Sequence, residues 1–555
     1  MLNRKRFFLF LFLSLLIIFT PLISQDNYFE KRLQRLDLRT IPLESIKHNF
    51  DVLHYAFDWT INMTAQSIQG KAVIQSKSLA NSLNQIILHL STAMTVTQIT
   101  QDQTALAFTH ADNLLTIFLA QPSGINQEFE IEITYSGIPQ AGLNFSTHQG
   151  QPIFWSLDEP SEAREWFPSF DHPSDKATAD LKITVPQNIV VVSNGTLTKS
   201  QVNPDGTTIY FWKEEAPIAT YLISVAGTNY AIFSDTYTSG PQSMDVLYYV
   251  YPEDLTQAQT DFSVTVPMIA FYSLLFGEYP FLEEKYGMAA IPGGTAMEHQ
   301  TCTSYPSRSI TGNHQYDWLI AHELAHQWWG DLVTLTDWDD IWLNEGFATY
   351  SDALWFEYLS GSVGLQTRMQ IFKDIYFQHQ STEHPVYNPP DGHLFCEIVY
   401  EKAAWVLHML RFVVGDTHFW AILRKYALDF AYANATTSDF IYVCELVYGA
   451  DLGWFFDQWI YGLGYPSYQV GWGYINGTVF VFVNQTQEDF PLFEMPVELQ
   501  INLLSGPIHK TIWVDKKFNS YTFPLSERPT TIIFDPDNWI LSQREHFLKK
   551  GSSRR

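Results

Sequence analysis

The sequence predicts a multidomain protein with an N-terminal antiparallel β domain, an α+β domain that carries the chemistry, and a small C-terminal β-sandwich. Three observations predict it. The chain has 555 residues, more than one hydrophobic core fills. Period-two stretches dominate to about residue 235, yield to helical periodicity after about residue 255, and return from about residue 466. Finally, His322-Glu323-Leu324-Ala325-His326 places two imidazoles four residues apart on one helix face, where both can reach one metal ion.

The first segment stands outside these domains. Asn3-Arg4-Lys5-Arg6 is a basic patch, and Phe7 to Phe19 is apolar except for Ser14. Thr20-Pro21 ends the run. Residues 1–24 therefore read as a secretory signal peptide, which makes the protein an exported one, periplasmic or secreted. An uncleaved membrane anchor is the alternative, although the run falls short of the roughly 20 residues a span requires. Residues 25–240 form the expected β domain. Phe129-Glu130-Ile131-Glu132-Ile133-Thr134-Tyr135 alternates cleanly, and Ser136-Gly137, Asn194-Gly195 and Pro204-Asp205-Gly206 supply turns.

Residues 241–465 are expected to form the α+β domain. A sheet segment near Met288–Ile291 precedes helical patterns over 316–329, 345–359 and 400–412, and a further one over 261–276 contains Pro267, which should start or kink a helix. Residues 466–546 carry strands such as Thr478–Val483 and Leu499–Leu503, the expected sandwich. Residues 547–555 are a charged tail.

The formal charge of −27 argues against nucleic acid and anionic membrane surfaces as partners. The three cysteines, Cys302, Cys396 and Cys444, cannot make a disulfide framework. None stands at metal-ligand spacing from another, so they read as packing residues.

The metal motif does not stand alone. Asn344-Glu345-Gly346-Phe347-Ala348 follows, with eighteen residues between His326 and Glu345. Structural zinc sites close all four positions with protein ligands, whereas catalytic sites use three and keep one open. Two His and one Glu fit the open type, and Glu323 stands where a base for a metal-activated water is needed.

Together these residues resemble the aminopeptidase N family of gluzincin zinc metallopeptidases, whose pattern is His-Glu-x-x-His, eighteen residues, then Glu within Asn-Glu-Gly-Phe-Ala. The resemblance implies a thermolysin-like fold for the α+β domain. It implies that His322, His326 and Glu345 hold one Zn²⁺ per chain and that Glu323 is the general base. Thr295-Ala296-Met297-Glu298-His299 is similar to the family's Gly-Ala-Met-Glu-Asn strand, which makes Glu298 a ligand for the substrate α-amine. Thr295 and His299 depart from the family's Gly and Asn. Glu159, opening Glu159-Pro160-Ser161-Glu162-Ala163-Arg164, corresponds to a second acidic group at the amine site, although Leu157 replaces the usual Gln. Tyr400-Glu401-Lys402-Ala403-Ala404 is similar to Tyr-Glu-Lys-Gly-Ala, and implies that Tyr400 steadies the oxyanion of the tetrahedral intermediate.

The function so implied is hydrolysis of the first peptide bond of peptides with a free N-terminus, by a short form without the family's C-terminal helical domain. The alternatives are the epoxide hydrolase chemistry of one family branch, or a catalytically silent peptide-binding protein.

Overall fold

A computed structural model describes residues 49–378 and 383–546. The expected signal segment and the charged tail lie outside the described residues. Among the described residues no helix is long and apolar enough to cross a membrane.

The N-terminal region is β-rich, as expected. Its largest sheet has eight strands, in the order Thr196–Val202, Thr207–Ala219, Lys176–Pro186, Phe50–Asn62, Ser67–Ser78, Glu128–Gly137, Met94–Gln101 and Thr104–Ala105. Alternation sets which face is buried. In Phe50–Asn62, Tyr55, Phe57 and Trp59 point inward, their rings stacked at 5.4 and 4.7 Å, and Trp59 Nε1 donates to Tyr135 Oη at 2.9 Å. The sheet is not wholly antiparallel. Phe50–Asn62 runs parallel to Lys176–Pro186, so that Phe57 faces Leu181. Strands so far apart in sequence are joined by a long crossover, which is what parallel pairing requires.

The next sheet joins Ala231–Ser239, Gln242–Val250, Tyr286–Ile291 and Cys302–Pro306, the last two added in parallel. Ser239 pairs with Gln242 across a tight turn, so the boundary expected at residue 240 falls inside a hairpin. The sheet begins at Ala231.

Helices then stack on this sheet. The pattern expected over 261–276 resolves into helix 255–261, one tighter turn, and helix Thr265–Phe276, which begins two residues before Pro267. There the missing N–H of Pro267 costs no hydrogen bond. The metal-motif helix spans Asp317–Ala325 and the next one Trp342–Ser360. Buried Tyr272 ties them together: its hydroxyl is within hydrogen-bond distance of the carbonyls of Ala321 (3.1 Å) and Ser351 (2.9 Å), one on each helix.

From Ser467 onward the chain is β again, in a four-stranded sheet and a three-stranded one. Val479, Val481 and Val483 of the first sheet and Met495, Val497 and Leu499 of the second alternate inward and are buried.

Candidate active site

The metal-motif helix ends at the second histidine, and its ending is built for that purpose. The chain turns at Gly330 with φ 134°, and a Cβ there would press on Asn344 Nδ2 and His326 Nδ1 at 3.3 and 3.4 Å. The turn aims the Trp329 carbonyl back at His326, whose Nδ1–H donates to it at 2.9 Å. A carbonyl only accepts, so the proton sits on Nδ1 and the Nε2 lone pair faces inward.

That lone pair points at a triangle. His326 Nε2 lies 3.1 Å from His322 Nε2 and 3.4 Å from Glu345 Oε2, and His322 Nε2 lies 3.3 Å from the same oxygen. Tetrahedral ligands at zinc bond lengths stand about 3.3 Å apart, so the residues fit the ion the family pattern implies. The electrostatics agree. Burial disfavours a proton on His326, but Glu298, Glu345 and Glu323 outweigh it and raise its pKa well above the ordinary histidine value. Burial pushes Glu345 up, but the two imidazoles hold it near 2. The pocket demands positive charge.

Glu345 reaches this triangle because Gly346 has no side chain. A Cβ on Gly346 would stand 2.5 Å from that of Ala403. The close approach brings the helix of Glu345 against the turn Ile398–Lys402, where Lys402 N bonds to Glu397 O five residues back at 3.0 Å. This π-helical turn turns Tyr400 inward, a distortion common at functional sites. The Tyr400 hydroxyl donates to Glu345 Oε1. Ala403, where the family pattern has Gly, is the residue Gly346 accommodates.

Glu298 approaches from the opposite side and is buried, its Oε1 4.0 Å from His326 Nδ1. Gln327 fixes it there: its Nε2 donates to Glu298 O at 3.3 Å, while its Oε1 accepts from Thr301 N at 3.0 Å and Tyr279 Oη at 3.1 Å. Met297 is bonded both ways to Ser304, so this segment is pinned to the edge of the sheet by one isolated bridge. Thr295 lies outside the left-handed region, so its Cβ brings no backbone strain. His299 is wholly buried with Nδ1 3.0 Å from Ser304 Oγ, and burial lowers its pKa to about 3.

Glu159 comes from the β domain. Its anchor is Trp166, which donates to Asp158 Oδ1 at 2.9 Å and packs on Trp59 at 4.5 Å. Burial raises the Glu159 pKa well above the ordinary range, and the neighbouring charges of Glu298, Glu345 and Glu323 raise it further. All seven residues expected from the sequence therefore converge on one place.

Three residues near them were not anticipated. Asp331 is wholly buried, its carboxylate oxygens without hydrogen-bond partners, and burial followed by the charge of Glu298 raises its pKa. Lys176 of the β domain reaches its backbone carbonyl at 2.6 Å. Tyr221, also of the β domain, accepts from Asn344 Nδ2 at 3.1 Å and feels the charges of Glu298 and Glu159. The only sequence signal was proximity: Asp331 directly follows the metal-helix segment, and Asn344 precedes Glu345.

Comparison with known proteins agrees with this geometry. The profile of the peptidase family M1 domain matches residues 260–459, and that of the peptidase M1 N-terminal domain matches residues 52–222. Leucyl aminopeptidase of Saccharolobus solfataricus is 28% identical over 411 residues, covering 68% of this chain and 50% of that protein. Human glutamyl aminopeptidase is 29% identical over 331 residues, covering 56% of this chain and 34% of that protein. The chain thus spans half or less of these curated relatives.

Among solved structures, an M1 zinc metallopeptidase mutant from Deinococcus radiodurans, described as bound to a Tyr-Ser-Ala substrate, superposes with a TM-score of 0.67 at 25% identity, covering 76% of this chain and 96% of that one. The fold of Legionella pneumophila aminopeptidase A superposes with a TM-score of 0.79 at 20% identity, covering 90% of this chain and 60% of that one. The two matched domains together span most of the described residues, and the chain belongs to peptidase family M1.

Proposed function

We propose that this protein is a zinc-dependent aminopeptidase that removes the first residue of peptides with a free N-terminal amine. The observation that carries the reading is the placement of buried carboxylates beside an open three-ligand triangle, with Glu298 4.0 Å from the ligand His326. His322, His326 and Glu345 would hold one zinc ion in that triangle. When bound, the ion supplies Lewis acidity, polarising a carbonyl and acidifying a water.

The protein's own residues do the rest. Glu323 takes a proton on its carboxylate and returns it to the leaving amine. Tyr400, held at Glu345, donates its hydroxyl to the oxygen that gains charge. Glu298 and Glu159 pair with the substrate ammonium and so fix which bond lies over the triangle. An acylated amine would leave those carboxylates desolvated and unpaired, so blocked peptides are rejected.

We read residues 231–465 as a thermolysin-like catalytic domain and 466–546 as a sandwich that packs against it. Export rests on the sequence of residues 1–24 alone. The test is release of arylamine from an aminoacyl-arylamide by the purified protein. Release that a chelator abolishes and added zinc restores is expected, and no chelator-sensitive release would refute the assignment.

A further inference from the structure

Away from the catalytic triangle, a second group of metal-ligand atoms converges. His384, His393 and Cys396 each offer one ligand atom, all within 4.8 Å of one another. The cysteine was expected to be a packing residue because no other cysteine stands at ligand spacing. Its partners are histidines, and only the folded loop brings them together.

The geometry is preorganised. His384 Nδ1–H donates to the Pro385 carbonyl at 2.7 Å, so the lone pair lies on Nε2. That nitrogen faces Cys396 Sγ at 3.4 Å. A nitrogen and a thiolate sulfur on one tetrahedral zinc stand about 3.5 Å apart, at bond lengths of about 2.0 and 2.3 Å. The rings of His384 and His393 lie 5.4 Å apart at 62°, similar to the 4.7 Å and 80° of His322 and His326. His384 and Cys396 are buried, and His393 is half-buried at the loop surface, which leaves an entry path for an ion. A turn at Pro390–His393, with Gly392 at φ 79°, presents the third ligand.

The surroundings suit a thiolate ligand. Burial lowers the pKa of Lys402, but its ion pair with Glu383 at 2.5 Å opposes that loss, and an ammonium near Cys396 favours the thiolate. The thiol would lose its proton to solvent as the metal–sulfur bond forms. Two imidazoles and a thiolate select a borderline-soft ion of the zinc class over magnesium or calcium.

We propose that His384, His393 and Cys396 form a second metal site, for a zinc-class ion, that staples the 383–397 loop. The site would also brace catalysis indirectly, because the Cys396 carbonyl accepts from the backbone N–H groups of Val399 (3.1 Å) and Tyr400 (3.4 Å). The sequence implied one zinc per chain, and this site raises the number to two.

The test uses the whole 555-residue chain, stripped of metal and titrated with Co²⁺, whose thiolate complexes show a near-ultraviolet charge-transfer band that imidazole and carboxylate complexes lack. The parent protein should develop that band with a stoichiometry of one cobalt per chain, in addition to the cobalt held at His322, His326 and Glu345. Cys396→Ser should lose the band and one cobalt while keeping its far-ultraviolet circular dichroism. A His322→Ala, His326→Ala double variant should keep the band. No band in the parent protein, which needs no variant to fold, overturns the proposal. So does a band that persists in Cys396→Ser, because it would then arise from Cys302 or Cys444.

Discussion

The two sides of the candidate site are built differently. On the metal side, His322, Glu323 and His326 sit on one helix and Glu345 on the next, and a single close contact, Gly346 against Ala403, brings Tyr400 to them. On the amine side, Glu298 lies beside a single isolated bridge and Glu159 on a loop of another domain, held by long-range bonds such as Gln327 to Glu298 O and Lys176 to Asp331 O. Helix periodicity fixes the first set nearly by itself. The second set exists only once distant segments have packed. Changes on the metal side should therefore strike turnover, and changes on the amine side should strike substrate recognition.

The largest effect expected is at Glu323. Glu323→Gln should keep bound metal yet lose turnover by about 10²–10⁴-fold, the usual weight of a positioned base. Metal analysis beside a kcat measurement checks this, and retained kcat would remove Glu323 from the role. Next is Tyr400→Phe, which removes one donor from the developing oxyanion and should lower kcat by about 10²–10³-fold with KM little changed. Unaltered turnover would mean that the Tyr400 hydroxyl serves only to position Glu345.

Across the site the signature should invert. Glu298→Ala removes a charged partner of the ammonium, worth about 1.5–3 kcal/mol, or roughly 10–100-fold in kcat/KM. Selectivity for a free amine over a blocked one should fall by the same factor. Equal selectivity in parent and variant would contradict the anchoring role.

The smallest effect concerns stability. Burial lowers His89 to about 4, and His299 and His408 to about 3, against about 6.5 for an unfolded histidine. Between those values the unfolded chain binds more protons, so stability rises with pH and is lost as pH falls below about 6.5. Each histidine should contribute on the order of 1 kcal/mol per pH unit in that window. His299→Asn, which restores the family residue beside Glu298, should flatten the pH dependence of the denaturation midpoint between pH 4.5 and 7. An unchanged slope would show that His299 titrates in the folded protein as it does in the unfolded chain.

This contrast also explains what was legible in the sequence. The β, then α+β, then β order was visible because two-residue and helical periods are local properties. The metal ligands were visible because helix geometry converts a spacing of four into one face. Glu298 and Glu159 became visible only through their resemblance to family motifs. Asp331, Lys176 and Tyr221 were hidden, since beyond the closeness of Asp331 to the metal helix nothing local distinguishes one buried carboxylate, amine or phenol from the others. The hairpin across residue 240 is local, with its turn at Gly240-Pro241 between two paired strands, whereas the parallel pairing of Phe50–Asn62 with Lys176–Pro186 depends on tertiary partners that no window of sequence contains. The grouping of Cys396 with His384 and His393 was hidden for the same reason.

The most direct test of the account compares a free aminoacyl-arylamide with its N-acetyl counterpart on the metal-loaded protein. Both carry the same scissile bond, so only the amine side distinguishes them. Hydrolysis of the free compound, abolished by chelation, with the acetylated one at least about 100-fold poorer in kcat/KM, is predicted from the loss of a buried charged pairing. Hydrolysis of both at comparable kcat/KM would contradict the claim that buried carboxylates select a free N-terminus.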